Sequence, residues 1–291
     1  MDPADINDIV KAEWELKQEQ LKSKLVCEDV EKWQNEKELN SLCYIGGVDL
    51  SFVKGDDFNA CACLVVCSYP DLQVVYSDCS HIQLTAPYIS GFLAFREVSF
   101  LVDCIEKLKH EKPEYMPQVM FVDGNGMLHP RGFGVACHLG VITDMVTIGV
   151  AKKLLHVDGI EKDASHAEKI KQLTKGGESF PLSGSSGKIL GKVLRVCDES
   201  SNPVYVSVGH KISLETAVDL VHRCSKHRIP EPIRQADIRS REFLREKYEP
   251  KLRKQPRVKL KKTKDTSDTP SLDGRNCIDD DELDCVISLF E

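Results

Sequence analysis

Asp49, Glu97 and Asp123 are acids set where acids are costly. Asp49 stands inside Tyr44-Ile45-Gly46-Gly47-Val48-Asp49-Leu50-Ser51-Phe52, an apolar run that reads as a central strand. An ionised carboxylate buried there needs a compensating cation or hydrogen-bond network. Asp123 ends a second apolar strand, Gln118 to Val122, at the place where open α/β sheets bind ligands. Glu97 lies three residues after Ala94 and four before Leu101, on the flank of a helix's buried stripe. Three converging carboxylates suit a hard divalent cation, which takes oxygen ligands and keeps several waters. On a phosphodiester such a cation stabilises the attacking and leaving oxygens of an in-line displacement. The plain alternatives are a turn-capping Asp123 and a hydrogen-bonded Asp49.

The surrounding pattern must bring these acids together. Residues 5–38 read as one long helix or two joined ones, a brace with Val10, Trp14, Leu21 and Leu25 at helical spacing. Three strands follow, Tyr44 to Val53, Ala60 to Ser68 and Gln73 to Ile82, joined by short turns and therefore antiparallel. Ser90 is a candidate cap for a helix from Gly91 to about Lys109. After the strand ending at Asp123-Gly124-Asn125-Gly126 come a helix near Phe133 to Thr143 and a strand Val146 to Val150. That alternation implies a parallel continuation of the sheet. Residues 158–186 are polar and read as an exposed insertion; strands near Lys188 to Val196 and Val204 to Val208, a helix capped by Ser213 and a helix from Glu231 to Tyr248 complete the series. Acids on the first strand, the next helix and the fourth strand make an α/β, ribonuclease-H-like mixed sheet flanked by helices, a fold-level analogy pointing to phosphodiester chemistry. One domain is expected over 1–250, and a charged, disordered tail over 251–291, with a basic run Lys251 to Lys264 and an acidic one Asp279 to Asp284.

Composition sets limits. The 291 residues are 41% hydrophobic and 29% charged, ordinary for a globular protein with one full core. No apolar run approaches the roughly 20 residues of a bilayer span, and the acidic start lacks the features of a signal peptide. A monomer that stays inside the cell is expected, cytoplasmic with a nuclear or nucleolar pool; Lys251 to Lys264 reads by default as a solvated tail, with a nuclear signal or sequence-independent affinity for phosphates as the alternatives. Twelve scattered cysteines read as free thiols, and Cys61, Cys63 and Cys67 share one strand face, where they pack as small hydrophobes. A net charge of −7 argues mildly against nucleic-acid binding. Its distribution softens the objection: residues 1–40 carry eleven acids and six bases, the tail from 250 nine of each, leaving −2 for 41–249.

Several uncommon motifs then fall in one order. Gly47-Val48-Asp49-Leu50-Ser51, Pro87-Tyr88-Ile89-Ser90-Gly91-Phe92-Leu93-Ala94-Phe95-Arg96-Glu97, Asp123-Gly124-Asn125-Gly126 with His129-Pro130-Arg131, and Gly149-Val150-Ala151-Lys152 resemble the endonuclease V family. The resemblance covers roughly residues 5–250, and the charged tail and the Asp237 region look like animal members. It implies cleavage at the second phosphodiester bond 3′ to an inosine or deoxyinosine. Single-stranded RNA is favoured over DNA, with Mg²⁺ as cofactor and Mn²⁺ as a substitute.

By the same resemblance Asp49 and Asp123 bind the cation and Glu97 completes the cluster. Asp237 matches a further site position where bacterial members have histidine; its plain alternative is a helix acid beside Arg234 and Arg241. Pro87, Tyr88 and Ile89 match a wedge that fills the stack vacated by a flipped base. Leu93, Gly124, Val135, Gly149, Ala151 and Leu155 match a hypoxanthine pocket. Lys152, after a strand end, is placed to face the scissile phosphate, and His129 and Arg131 to hold phosphates. His210 is either a site residue or a satisfied structural histidine. Gly184-Ser185-Ser186-Gly187-Lys188 resembles a phosphate loop but lacks its spacing and runs into a strand, so a flexible loop is expected. The competing functions are a general or structure-specific nuclease on the same fold, and a non-catalytic inosine-RNA-binding protein.

Overall fold

A computed structural model describes residues 3–53 and 55–252. The expected tail lies outside the described residues, except for two residues that close the last helix. The sheet opens with three antiparallel strands, β1 (Tyr44–Phe52), β2 (Asn59–Ser68) and β3 (Val74–Gln83). Asp56 turns the chain between the first two, accepting the amides of Phe58 and Asn59. Helix α2 (Leu93–Glu111) then leads to β4 (Val119–Asp123), and α3 (Val135–Thr143) to β5 (Thr147–Ala151). Strands β1, β4 and β5 run parallel, as the alternation predicted.

The parallel run stops there. From β5 the chain passes through α4 (Ala164–Gln172), β6 (Ser179–Ser183) and β7 (Ile189–Leu194) before β8 (Val204–His210) returns antiparallel to β5. The sheet has eight strands in the order β3-β2-β1-β4-β5-β8-β7-β6. Residues 158–186 are thus not an exposed insertion. They supply α4 and the edge strand β6, and Ile160, Leu173 and Leu182 bury against Val193 and Tyr205. Apolar side chains at wide intervals in a polar stretch suffice, because β7 provides the partner.

Helices cover both faces. On one, α2 and α3 pack Leu101, Ile105 and Leu139 on Leu64, Met120 and Val122. On the other, α5 (Leu214–Arg223) and α6 (Glu231–Leu252) pack Val218, Val221 and Ile233 on Phe121, Ile148 and Val206. At Gly47 a β-carbon would lie 2.2 Å from the Pro232 carbonyl carbon, so only glycine lets α6 lie directly on β1 beside Asp49.

Two boundaries differ from expectation. Helix α1 is Pro3–Lys22, not a helix to 38. The chain leaves it so that Asp29 can accept bonds from Ser213 and Thr216 at the start of α5, and the Val26 carbonyl one from Lys211. Ser90 does not cap α2: Phe92 is the cap residue, with no side-chain bond, after a turn through Gly91 at φ +81°. The described cysteines are free, with Cys61, Cys63 and Cys67 fully buried as expected. Among the described residues no helix is long and apolar enough to cross a membrane.

Candidate active site

The parallel pairing of β1 with β4 sets Val48 beside Val122, so Asp49, still within β1, follows beside Asp123 at the end of β4. Asp49 is buried, 5% exposed, and Glu97 reaches the same place from α2 at 9%. Burial first, then the charge of Asp123, pushes the Asp49 carboxyl up to about 8; Lys152 opposes the rise and Asp237 adds to it. Burial likewise lifts Glu97 to about 8, with Arg96 opposing and Asp49 and Asp123 adding. Two buried acids that resist ionisation beside a third mark a deficit of positive charge.

Lys152 supplies part of it. Its ammonium lies 2.8 Å from Asp123 Oδ2 and 3.9 Å from Asp237 Oδ1. Burial would lower its pKa, but Asp123, Asp49 and Asp237 outweigh that and raise it, so the lysine stays charged. Asp237, on α6, also pairs with Arg241 at 2.9 Å, and Arg228 donates to the Lys152 carbonyl at 2.8 Å. Asp237 is therefore both a helix acid paired with Arg241 and a neighbour of the cluster; the two readings are not exclusive. Among the described residues no three His, Cys, Asp or Glu side chains already close on one point as a metal cage, and the Lys152 ammonium holds the space between Asp123 and Asp237. The donor chemistry still fits a hard cation: carboxylate oxygens only, two of them buried and short of compensating charge.

Beside the acids lies a backbone cradle. A β-carbon on Gly149 would meet the Gly126 nitrogen at 2.4 Å and the Gly124 carbonyl oxygen at 2.9 Å, so the loop after Asp123 rests directly on β5. Gly124 has φ +142°, and its β-carbon would meet Val135 Cγ1 at 2.6 Å. Gly124, Val135 and Gly149 are thus brought together, with Ala151 two residues further along the same strand face. Leu93 is exposed at the start of α2 and Leu155 is half-buried after β5. Two surface grooves lie elsewhere, one along α4 and β6, one between β3 and α2.

Tyr88 is 45% exposed, in the loop before α2, with Pro87 exposed and Ile89 half-buried. The loop is anchored from behind: Trp14 of α1 stacks on Phe95 at 5.0 Å, and Gln18, 1% exposed, donates to the carbonyls of Gly91 and Phe133. Gln18 also accepts from Arg131 Nε. The brace helix therefore ties the Tyr88 loop to the His129–Arg131 loop.

The histidines separate. His129 accepts the Arg131 amide at Nδ1, 3.2 Å, which leaves its ring hydrogen on Nε2. Burial, then Arg131 and Lys22, push it down to about 4, so near neutrality it is a hydrogen-bond donor and not a base. It faces Arg131 and Lys22 instead of the acids. His210 is 3% exposed and accepts the Val26 amide at 3.3 Å; it is a structural histidine. Gly184 to Lys188 form a turn held by Asp158, which accepts the Ser186 hydroxyl at 2.5 Å. Two further residues at the cluster, Ser51 and Ser240, both bonded to Asp49, escaped the sequence reading. The signal was their spacing: Ser51 two after Asp49 on a strand, Ser240 three after Asp237 on a helix.

The sequence profile of Endonuclease V matches residues 20–238. The chain belongs to the Endonuclease V family. It is 60% identical to mouse Endonuclease V over 232 residues, 80% of this chain and 69% of that one. The human protein is 57% identical over 80% and 82% of the two chains. Among solved structures, the catalytic domain of human Endonuclease V superposes with TM-score 0.81 at 55% identity, covering 82% of this chain and 97% of that one. Ciona intestinalis Endonuclease V, bound to a 23mer DNA containing an inosine followed by a ribo-adenosine, superposes with TM-score 0.75 at 38% identity over 84% and 99%. The expected family and its mixed, helix-flanked sheet are therefore this chain's own, and the family is one of endonucleases.

Proposed function

We propose that this chain is a divalent-metal-dependent endonuclease that extrudes inosine from single-stranded RNA, less readily deoxyinosine from DNA, and hydrolyses the second phosphodiester bond 3′ to it. The observation that carries this reading is that Asp49 within β1, Glu97 on α2 and Asp123 at the end of β4 act on one another, with Asp49 and Glu97 pushed up to about 8 by burial and then by the neighbouring acids. Mg²⁺, with Mn²⁺ able to replace it, would be held by Asp49, Asp123 and Glu97 and would stabilise the charge on the reacting phosphate. Lys152 adds a fixed positive charge facing that phosphate, and Asp237, between Lys152 and Arg241, orients it. His129 and Arg131 donate to backbone phosphates further along.

Recognition falls to the other half of the site. Tyr88, with Pro87 and Ile89, fills the gap left by the extruded base, recovering part of the few kcal/mol of stacking lost. Hypoxanthine enters between Leu93, Gly124, Val135, Gly149, Ala151 and Leu155, where close backbone groups read its edge and leave no room for the amino group of guanine. The ribo-adenosine that follows inosine in the ligand of the Ciona relative supports a substrate with ribose at that point, where a 2′-hydroxyl gives an extra contact. The protein acts as a monomer.

Matched oligomers carrying one inosine, all-ribose, all-deoxy or deoxy with a single ribonucleotide after the inosine, test this reading in Mg²⁺. The first and third are expected to be cut well and the second slowly. Equal cutting of the same strands with adenosine in place of inosine would overturn it.

A further inference from the structure

Asp49 is held from two sides by hydroxyls. Ser51 Oγ donates to Asp49 Oδ2 at 3.1 Å, and Ser240 Oγ donates to the same oxygen at 2.9 Å. The two hydroxyl oxygens are 2.7 Å apart, and Ser240 Oγ lies 3.0 Å from the Asp237 carbonyl one turn earlier. Ser240 is fully buried, with Ser51 2% and Asp49 5% exposed.

A helical serine can satisfy its hydroxyl on its own helix, and Ser240 has such a carbonyl within reach. The bond across to β1 therefore serves the carboxylate more than the serine. Each hydroxyl carries a single hydrogen. Turned to the carboxyl group, both fall on Oδ2, where they become charge-assisted once Asp49 ionises, and neither falls on Oδ1. Asp123 presses on Asp49 within hydrogen-bonding reach.

We propose that Ser240, together with Ser51, is a positioning residue for the metal site: the pair pins Asp49 through Oδ2 and turns Oδ1 toward Asp123, where a shared cation would lie. Ser240 sits one turn after Asp237, and α6 is seated on β1 at Gly47. The docking of one helix thus fixes the orientation of a metal ligand and the place of the acid beside Lys152 together. Outer partners of this kind orient metal ligands generally and change affinity by 10- to 100-fold. The inference rests on the proposed metal-dependent function.

The test is Mn²⁺ binding to the full-length protein without nucleic acid, by calorimetry, for the wild type, Ser240→Ala, Ser51→Ala and Ser240→Thr. Beside it stand the Mg²⁺ concentration for half-maximal cleavage, the KM for the inosine oligomer and the melting temperature in EDTA. Ser240→Ala is expected to bind Mn²⁺ about 10-fold more weakly and to need correspondingly more Mg²⁺, with KM unchanged. Ser240→Thr, which keeps the hydroxyl, restores both. Wild-type Mn²⁺ affinity in Ser240→Ala, whatever its melting temperature, overturns the proposal. If that variant fails to fold, Ser51→Ala takes the same reading, and wild-type affinity there overturns it equally. A wild-type chain that binds no Mn²⁺ overturns the metal function itself; binding by wild type and both serine variants alike overturns only the positioning role.

Discussion

Lys152 Nζ lies 2.8 Å from Asp123 Oδ2, so the ammonium at the end of β5 and the carboxylate at the end of β4 form an ion pair across two parallel strands. That pair sits where a phosphate would bring further negative charge. Replacing Lys152 by methionine keeps the length and removes the charge. Single-turnover cleavage is expected to fall about 10²- to 10³-fold, in the range of losing one transition-state donor, with a smaller change in KM. A rate within a factor of three of wild type (about 0.7 kcal/mol) would remove Lys152 from the chemistry.

The metal-free protein should be less stable in mild alkali than in mild acid. Asp49 and Glu97 ordinarily titrate at 3.8 and 4.5 and stand at about 8 when folded. Between those values the folded chain holds protons that the unfolded chain has lost. Stability therefore falls as pH rises through this window, by up to about 1.4 kcal/mol per pH unit for each group. Melting temperatures in EDTA are expected to drop from pH 5 to pH 8, with a shallower slope in Asp49→Asn and a gain in stability for that variant at pH 8. A flat or rising profile would show that the two acids are not burdened.

Cation binding needs the same carboxylates ionised, so it should tighten as pH rises toward 8 and release protons. Calorimetric Mn²⁺ titrations in buffers of different ionisation enthalpy measure that release. No release at pH 7 would mean the acids were already ionised.

Gly149→Ala places a methyl group 2.4 Å from the Gly126 nitrogen, and backbone cannot yield as a side chain does. The cost is expected at about 1–3 kcal/mol. The loop that follows Asp123 must shift, so the ratio of inosine to adenosine cleavage should fall together with the rate. Gly55→Ala, where a β-carbon meets nothing within 4 Å but φ is +76°, is the control for backbone strain alone. Loss of selectivity in that control would detach the effect from the cradle.

Tyr88→Ala should slow cleavage more on duplex than on single strands, because only the duplex holds a stack that must be refilled. Gln18→Ala, which unties the Gly91 turn from Phe133, is expected to show the same preference more weakly. Equal loss on both substrates would give Tyr88 a role other than a wedge.

The acids were legible because burial makes a charge conspicuous: Asp49 inside an apolar strand and Asp123 at a strand end announce themselves from sequence. Ser240 did not, since a serine on an amphipathic helix is unremarked until the helix is docked, and its partner Asp49 lies 191 residues away. Residues 158–186 hid α4 and β6 because the apolar residues there that reach the core, Ile160, Leu173 and Leu182 with Ile170 and Phe180 partly buried beside them, are spaced too irregularly among polar ones for a period to show. The direction of β8 was equally invisible, being set by the excursion through β6 and β7. His129 was correctly placed in the loop after Asp123, but its tautomer depends on the Arg131 amide, which only the folded loop reveals.

The central claim, that Asp49, Glu97 and Asp123 serve metal-dependent cleavage beside inosine, is tested most directly by mapping the products of one inosine-bearing RNA strand. Wild type in Mg²⁺ is predicted to give a single cut at the second phosphodiester bond 3′ to inosine, absent in EDTA and in Asp49→Asn. Cleavage that persists in EDTA, or an identical cut in the strand with adenosine, would contradict it.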